Sequence, residues 1–599
     1  MTVQEALPHW DLTPFFPAPD SPELEAALVL ARTELASLRE LVDTGGLESD
    51  FDGVIRLLND LLERFHLPAA YLQGAVAVDS RNDIAQARLS ELMQESVGLS
   101  NLQTAITAWL GTVDADELIE RSEQARAHEY AVRRAQVQAQ HLMAQSEEEL
   151  AAELSLSGAT AWGKLHGDVT SRLMVTLEVE GEERRLPMSE ARNLASNPDR
   201  DVRRRAYEAE LQVWEQASVP LAAAINSVKG AANVLAGRRN WESALDQALF
   251  SNAIDRATLD AMLEAVRESL PDFRRYFHAK AQALGIEQLA WYDISAPLPG
   301  EGRTWTYDEG REFIVEQFGT YSERMRDYAE RAFRENWIDA EPREGKRDGA
   351  FCMPVRGDES RIMANFSPAY DGVSTLAHEL GHGYHNINLA SRTELQKRTP
   401  MTLAETASIF CETIVREGAL AQAESSPAEQ IEILEGSLQS AAGVVVDILG
   451  RFLFESRLLE GRSKRELSVA ELCELMVEAQ KESYGDGLDE QQLHPYMWAM
   501  KPHYYFTSFY NYPYTFGLLF GLGLYARYER EPDEFRAGYD DLLSSTGLAD
   551  AATLASRFGI DIRSPEFWRS SLDQIRSDID RYCASALAGS AGESEHLRS

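Results

Sequence analysis

Helix-favouring residues limit this fold most, because they run in long stretches with few breaks. From Asp116 to Leu154 the chain reads DELIERSEQARAHEYAVRRAQVQAQHLMAQSEEELAAEL. The stretch has no Gly or Pro, and its apolar residues recur at three- and four-residue spacing, the period of a helix with one buried face. SPELEAALVLARTELASLREL, Ser21 to Leu41, repeats the pattern, with Ser21 placed to cap the first turn. The expected fold is mainly α. Two segments depart from the pattern: SRLMVTLEVEGEERRLP (Ser171–Pro187) and GAFCMPVRGDESRIMANFSP (Gly349–Pro368) alternate apolar with polar residues and predict β-hairpins, the second turning at Arg356–Glu359. SNPDRDVRRRAYEAE, from Ser196, reads as a turn followed by a helix, and the small, polar LAGSAGESEHLRS at 587–599 reads as a frayed tail. No internal repeat or low-complexity tract is present.

Composition removes several function classes. Acidic residues outnumber basic ones 97 to 58, and a net charge of −39 repels a phosphate backbone, so nucleic acid is not an expected partner. Cys352, Cys411, Cys473 and Cys583 are widely spaced with no CxxC pair, which suggests neither a disulfide framework nor a thiolate metal site and suits a reducing cytoplasm. The first residues show no basic region followed by an apolar run, so no secretory signal is expected. The longest apolar run, Tyr514–Ala526, is shorter than the ~20 residues that span a bilayer, so no membrane partner is expected either.

Chemistry concentrates in STLAHELGHGYH, Ser374–His385, which holds three of only 12 histidines. His378 and His382 stand at i and i+4, so on a helix both imidazoles leave one face a turn apart and can meet one zinc ion. Glu379 points elsewhere and is free to hold the water that a metal would acidify. Chance would place HExxH in a chain of this length on the order of one time in fifty, so the bare pattern is only suggestive. Gly381 and Gly383 strengthen it, since each costs a helix about 1 kcal/mol relative to Ala unless something packs close against the backbone. His385 lies two turns from His378, about 10 Å along the axis, too far to share the ion comfortably. Its expected roles are to hydrogen-bond a metal ligand from behind or to contact substrate, with an ordinary partly buried histidine equally compatible. A third ligand should come from PMTLAETASIFCETIVREGAL, where Glu405 sits among Leu403, Ala404, Ala407 and Ile409, an expensive place for a carboxylate without a cation. Glu412, seven residues on, either orients a ligand or pairs with Arg416.

A second cluster is KPHYYFTSFYNYPYTFG, Lys501–Gly517. Tyr504 and Tyr505 read as core. On a continuous helix His503, Tyr510 and Tyr514 would fall within about 40° of one another and present three donors on one face. A helical enzyme has few free backbone N–H groups, which makes side chains the natural source of oxyanion stabilisation. Tyr512 and Pro513 leave open which of Tyr510, Tyr512 and Tyr514 serves.

STLAHELGHGYH with LAETASIFCE resembles the oligoendopeptidase F group of the thimet-oligopeptidase-like zinc metallopeptidases. VKGAANVLAGRRNWESALDQALFSNAID, AWYDISAPLP and WIDAEPREGKRDGAFCMPV are also similar to that group, so the resemblance spans Ala191–Tyr582, and WDLTPFF resembles its usual beginning. The resemblance implies a large, two-lobed helical peptidase around a deep central channel, one Zn²⁺ per chain held by His378, His382 and Glu405, Glu379 as general base, and a His followed by closely spaced tyrosines facing the scissile carbonyl. The expected organisation, with the catalytic region starting at the turn near Ser196, is an N-terminal helical region (1–110), a helical domain with a hairpin (111–195), a catalytic domain (196–586) and the tail (587–599). The expected function is endopeptidase cleavage of oligopeptides in the cytoplasm, with Ala364, Asn365 and Phe366 pairing an extended substrate backbone. A helical peptide-binding protein with a degenerate site and a zinc hydrolase of non-peptide amides or esters are the alternatives. The intact Glu379 argues against the first.

Overall fold

The computed structural model describes residues 7–179, 181–299 and 303–596, with side chains through 585. The main elements are α1 (Pro22–Asp43), α2 (Phe51–Val78), α3 (Asp83–Leu110), β1 (Met174–Val179), β2 (Glu182–Pro187), α4 (Arg200–Arg238), α5 (Arg256–Ala283), β3 (Ile338–Asp339), β4 (Phe351–Arg356), β5 (Glu359–Met363), α6 (Tyr370–Leu389), α7 (Ser408–Gln422), α8 (Pro427–Ala442), α9 (Ile448–Lys464), α10 (Tyr512–Arg530) and α11 (Pro565–His596). The fold is mainly α, as expected, and both hairpins are present. Ser21 caps α1 by accepting from Leu24 N, and Asp199 caps α4.

The run from Asp116 is not one helix. It breaks into Ala115–Arg121, Glu123–Ala127, Glu129–Gln140 and Gln145–Ser157. Ser122 accepts from Ala125 N at 2.8 Å and also bonds Asp52, while His128 contacts Gln124 O at 2.8 Å. These side chains compete for backbone groups that a continuous helix would use itself. At the other end, the helical backbone of α11 runs on to His596, through most of the expected frayed tail. Its Ala and Glu residues favour helix. Leu597–Ser599 lie outside the described residues.

The chain forms two compact units, each built from separated segments. The first comprises Met1–Leu142, Arg303–Ala421 and Arg527–Gly559. In it the apolar faces of α1, α2 and α3 share one core with Met353, Val355 and Met363 of the sheet. Gly74 permits the close fit, because a Cβ there would stand 2.6 Å from Met353 Cε. The strand order is β3-β5-β4, with β5 parallel to β3 and antiparallel to β4. The second unit comprises Met143–Gly302, Gln422–Ala526 and Ile560–Ser599. Its long helix α4 buries Trp214, Leu221 and Ile225, and α5 packs along α11, with Tyr276 and Tyr582 edge to face at 5.2 Å. Helices α8 and α9 join through one wide π-turn at Gly443–Asp447. There Thr515 Oγ1 donates to Val444 O at 2.7 Å, the kind of side-chain partner that an irregular turn needs.

Candidate active site

Helix α6 carries His378 and His382 on one face, their rings 5.0 Å apart. Opposite them the segment after Pro400 leaves the helical path. A short turn (Met401–Ala404) ends at Glu405, and α7 begins only at Ser408. The glycines of α6 explain the fit. A Cβ on Gly381 would stand 2.5 Å from Ser408 Cα and 2.7 Å from Ala407 O, and one on Gly383 would meet the Tyr328 hydroxyl at 1.8 Å. With only hydrogen at position 381, the break closes onto α6 and brings the Glu405 carboxylate to the histidines. Glu405 Oε2 lies 3.2 Å from His378 Nε2 and 3.3 Å from His382 Nε2.

One ligand atom from each of His378, His382 and Glu405 falls within 4.8 Å of the others, the spacing of donors around a single cation. Two imidazole nitrogens and one carboxylate oxygen suit tetrahedral zinc with a fourth position left over. Burial raises the Glu405 carboxyl, but the two histidines more than offset it and hold the group far below the usual carboxylate range. The supports are also in place. Ser408 Oγ donates to Glu405 Oε2 at 2.7 Å, and Glu412 Oε2 takes His378 Nδ1 at 2.9 Å and Ser374 through its other oxygen at 3.1 Å. Glu412 therefore fixes the tautomer that leaves His378 Nε2 for a metal. Glu379 is 6% exposed, and its Oε2 has no hydrogen-bond partner among the described residues. Burial raises its pKa. A buried carboxylate oxygen left unsatisfied beside a metal-type donor set is suited to receiving a proton.

Two expectations about substrate contact need correction. His385 is 4% exposed, its Nε2 lies 2.9 Å from Thr546 Oγ1 and 3.1 Å from Leu543 O, and burial lowers its pKa to about 4. It braces α6 and cannot touch a substrate. The strand at Ala364–Phe366 continues β5, the central strand. Ala364 N donates to Asp339 O at 2.9 Å, Phe366 N to Ala340 O at 3.0 Å, and Ala364 O accepts from Lys346. Both N–H groups and the Ala364 carbonyl are therefore already engaged within the protein. Asn365 alternates to the other side, where its side chain donates to Arg347 O and Gly349 O at 2.9 and 3.1 Å. Among the described residues the main chain of Asn365 has no hydrogen-bond partner.

In the second unit His503 and Tyr510 stack in parallel, with centroids 4.6 Å apart and planes 7° apart, and the Tyr510 and Tyr514 hydroxyls are 3.1 Å from each other. The three side chains are neighbours, but not for the reason that a helical wheel supplies. Helical backbone stops at Phe506 and resumes at Tyr512, and Phe509 between them is left-handed with φ of 56°. Tyr512 faces inward, 1% exposed, and its hydroxyl donates to Ala248 O at 3.2 Å. Tyr512 is thereby turned away from His503, and Tyr510 and Tyr514 are the tyrosines beside it. Tyr504 and Tyr505 are core residues, as expected. Burial, with Arg451 and Lys501 nearby, lowers the pKa of His503. Sequence reasoning missed Ser374 and Ser408. Both were within reach, since Ser374 precedes His378 by one turn and Ser408 follows Glu405 by three residues. Arg451 and Asn511, which bond each other at 3.3 Å, are distant in sequence and carried no such signal.

A helical chain that gathers two histidines and a carboxylate at one point, with a buried glutamate alongside, is built as a metal-dependent hydrolase. Residues 193–574 match the family model described as peptidase family M3, and residues 110–174 match the one described as oligopeptidase F. An oligoendopeptidase F homolog of Lactococcus lactis is 24% identical over 590 residues, covering 95% of this chain and 96% of that one. Oligopeptidase PepF of Bacillus subtilis is 23% identical over 482 residues, 78% of this chain and 71% of that one. The crystal structure of oligoendopeptidase-F from Enterococcus faecium shares the fold, with a TM-score of 0.71 at 18% identity over 94% of this chain and 99% of that one. The chain belongs to peptidase family M3 and is a metalloendopeptidase.

Proposed function

We propose that the metal is zinc, one ion per chain held by His378, His382 and Glu405, and that the protein cuts internal bonds of oligopeptides in the cytoplasm. The observation that carries this reading is the convergence of those three ligand atoms within 4.8 Å beside the unpartnered oxygen of Glu379. Zinc, when bound, supplies a Lewis acid that lowers the pKa of water and polarises a carbonyl. Glu379 takes the proton of the attacking water and delivers it to the leaving amine nitrogen. His503, Tyr510 and Tyr514 donate to the carbonyl oxygen as it gains negative charge, and the main chain of Asn365 pairs with the extended peptide.

Substrate length, more than sequence, is expected to decide what is cut, because main-chain pairing reads no side chains. A folded protein would have to open locally first, at a cost of up to its global stability of about 5–15 kcal/mol, a barrier absent for short peptides. The test presents a ten-residue peptide, the same residues within a long unstructured chain, and the same residues within a folded domain, with products read by mass spectrometry. The peptide should be cut fastest and at internal bonds. Equal rates on all three would make this a general protease and not an oligopeptidase. Metal analysis of the same preparation should find about one zinc per chain.

A further inference from the structure

The break between His503 and Tyr510 is irregular, yet the rings on either side of it are closely set, so something must hold it. Lys229, from α4, is fully buried, and its ammonium meets Glu455 Oε1 of α9 at 2.6 Å. The same nitrogen donates to Thr507 O at 2.8 Å and to Ser508 Oγ at 3.3 Å. Each of its three N–H groups has an acceptor, and two of those acceptors belong to the first residues of the break. At the far end Arg451, tied to Asp447 one turn back, donates to Asn511 Oδ1 at 3.3 Å. Between the two anchors Phe509, 4% exposed, packs on Phe452 with centroids 5.5 Å apart. A buried ion pair is a weak source of stability, since apolar residues of the same volume often serve as well or better. A donor that grips a main-chain carbonyl does something apolar packing cannot, because it fixes the path of the loop at one atom.

We propose that the Lys229–Glu455 pair is a positioning device for the reaction: by gripping Thr507 and Ser508 it sets the turn that lays Tyr510 on His503 and within reach of Tyr514. The pair touches no reacting atom and acts only through the loop. The inference rests on the reading of His503, Tyr510 and Tyr514 as donors to the developing oxyanion.

The test uses Lys229→Met/Glu455→Leu, which removes both charges and leaves neither uncompensated in the core. The full-length, metal-loaded variant is expected to lose about tenfold in kcat while KM stays within about twofold, since misplaced donors affect the transition state more than binding. The loss should vanish when Tyr510→Phe and Tyr514→Phe are already present, because nothing then remains to be positioned. Unchanged kcat in the folded variant, or the same fold-loss in the tyrosine-free background, would overturn the proposal. If the double variant does not fold, Asn511→Ala releases the other anchor and is read in the same way: a kcat loss absorbed by the tyrosine background supports the proposal, and no loss or an equal loss overturns it. If His503→Ala, Tyr510→Phe and Tyr514→Phe all leave kcat unchanged, the donor reading itself has failed and the inference falls with it, whatever Lys229 does.

Discussion

The metal cluster and the His503–Tyr510–Tyr514 cluster each depend on a place where a helix stops, and they secure that place by opposite means. The break at Glu405–Ala407 is held by absence: Gly381 offers no side chain, and the backbone of Ala407–Ser408 closes to van der Waals distance of α6. The break at Thr507–Asn511 is held by charge, with Lys229 and Arg451 gripping its two ends. Steric closure gives tight placement in every direction, which suits ligands that must meet within a few tenths of an ångström. Polar anchors fix selected atoms and leave the rest of a loop freer, which suits donors that need to strengthen only as charge develops.

Removing a proposed ligand is expected to break the first cluster outright. Glu405→Ala should abolish metal retention and activity, while Glu412→Gln should weaken metal affinity by only about 10–100-fold, because it orients a ligand without being one. Metal content after gel filtration checks both, and full occupancy in the Glu405 variant would show that the third ligand lies elsewhere. Glu379→Gln should retain metal and peptide binding and lose roughly 10³-fold or more in kcat. Equal losses in kcat and metal content would place Glu379 among the ligands.

How much of each cluster could be read from sequence follows the same contrast. His378, His382 and Glu379 occupy one uninterrupted helix, so their spacing alone states their relative directions. Gly381 announced a close neighbour, though not that the neighbour would be the Ala407–Ser408 backbone. His503, Tyr510 and Tyr514 were picked out by residue type and proximity. Their geometry could not be read, because it depends on a left-handed Phe509 and on Lys229, more than two hundred residues away. Central strand β5 misled for a similar reason. Its alternation is visible in the sequence, but its pairing with the two-residue strand β3 is not, and that pairing is what takes the N–H groups of Ala364 and Phe366 from a substrate.

The aromatic cluster predicts a smaller and more selective effect. Tyr514→Phe should cost roughly 10²-fold in kcat with KM little changed, whereas Tyr512→Phe, whose hydroxyl only meets Ala248 O, should cost about 1 kcal/mol of stability and leave kcat alone. A rise in KM without loss of kcat in the Tyr514 variant would make it a binding residue. The smallest expected change tests steric closure itself. Gly381→Ala should destabilise by about 1–3 kcal/mol and loosen metal retention, since the atoms its Cβ meets are backbone and cannot swing aside. Gly436→Ala on α8, where a Cβ meets nothing within 4 Å, is the control and should shift stability by at most about 1 kcal/mol, measured by thermal unfolding. Equal behaviour of the two glycines would remove the contrast between the clusters.

The wide turn at Gly443–Asp447 makes α8 and α9 a single rod with a phase slip in it. Each residue of an α-helix advances about 100°, and a π-turn accommodates one residue more than an α-turn, so everything beyond Asp447 is rotated by about that angle from where a regular helix would put it. Arg451 and Glu455 lie beyond the slip. Deleting one residue from Gly443–Asp447 would heal the helix and at the same time swing both side chains away from the Thr507–Asn511 loop. The shortened chain would be the more regular protein and the poorer enzyme.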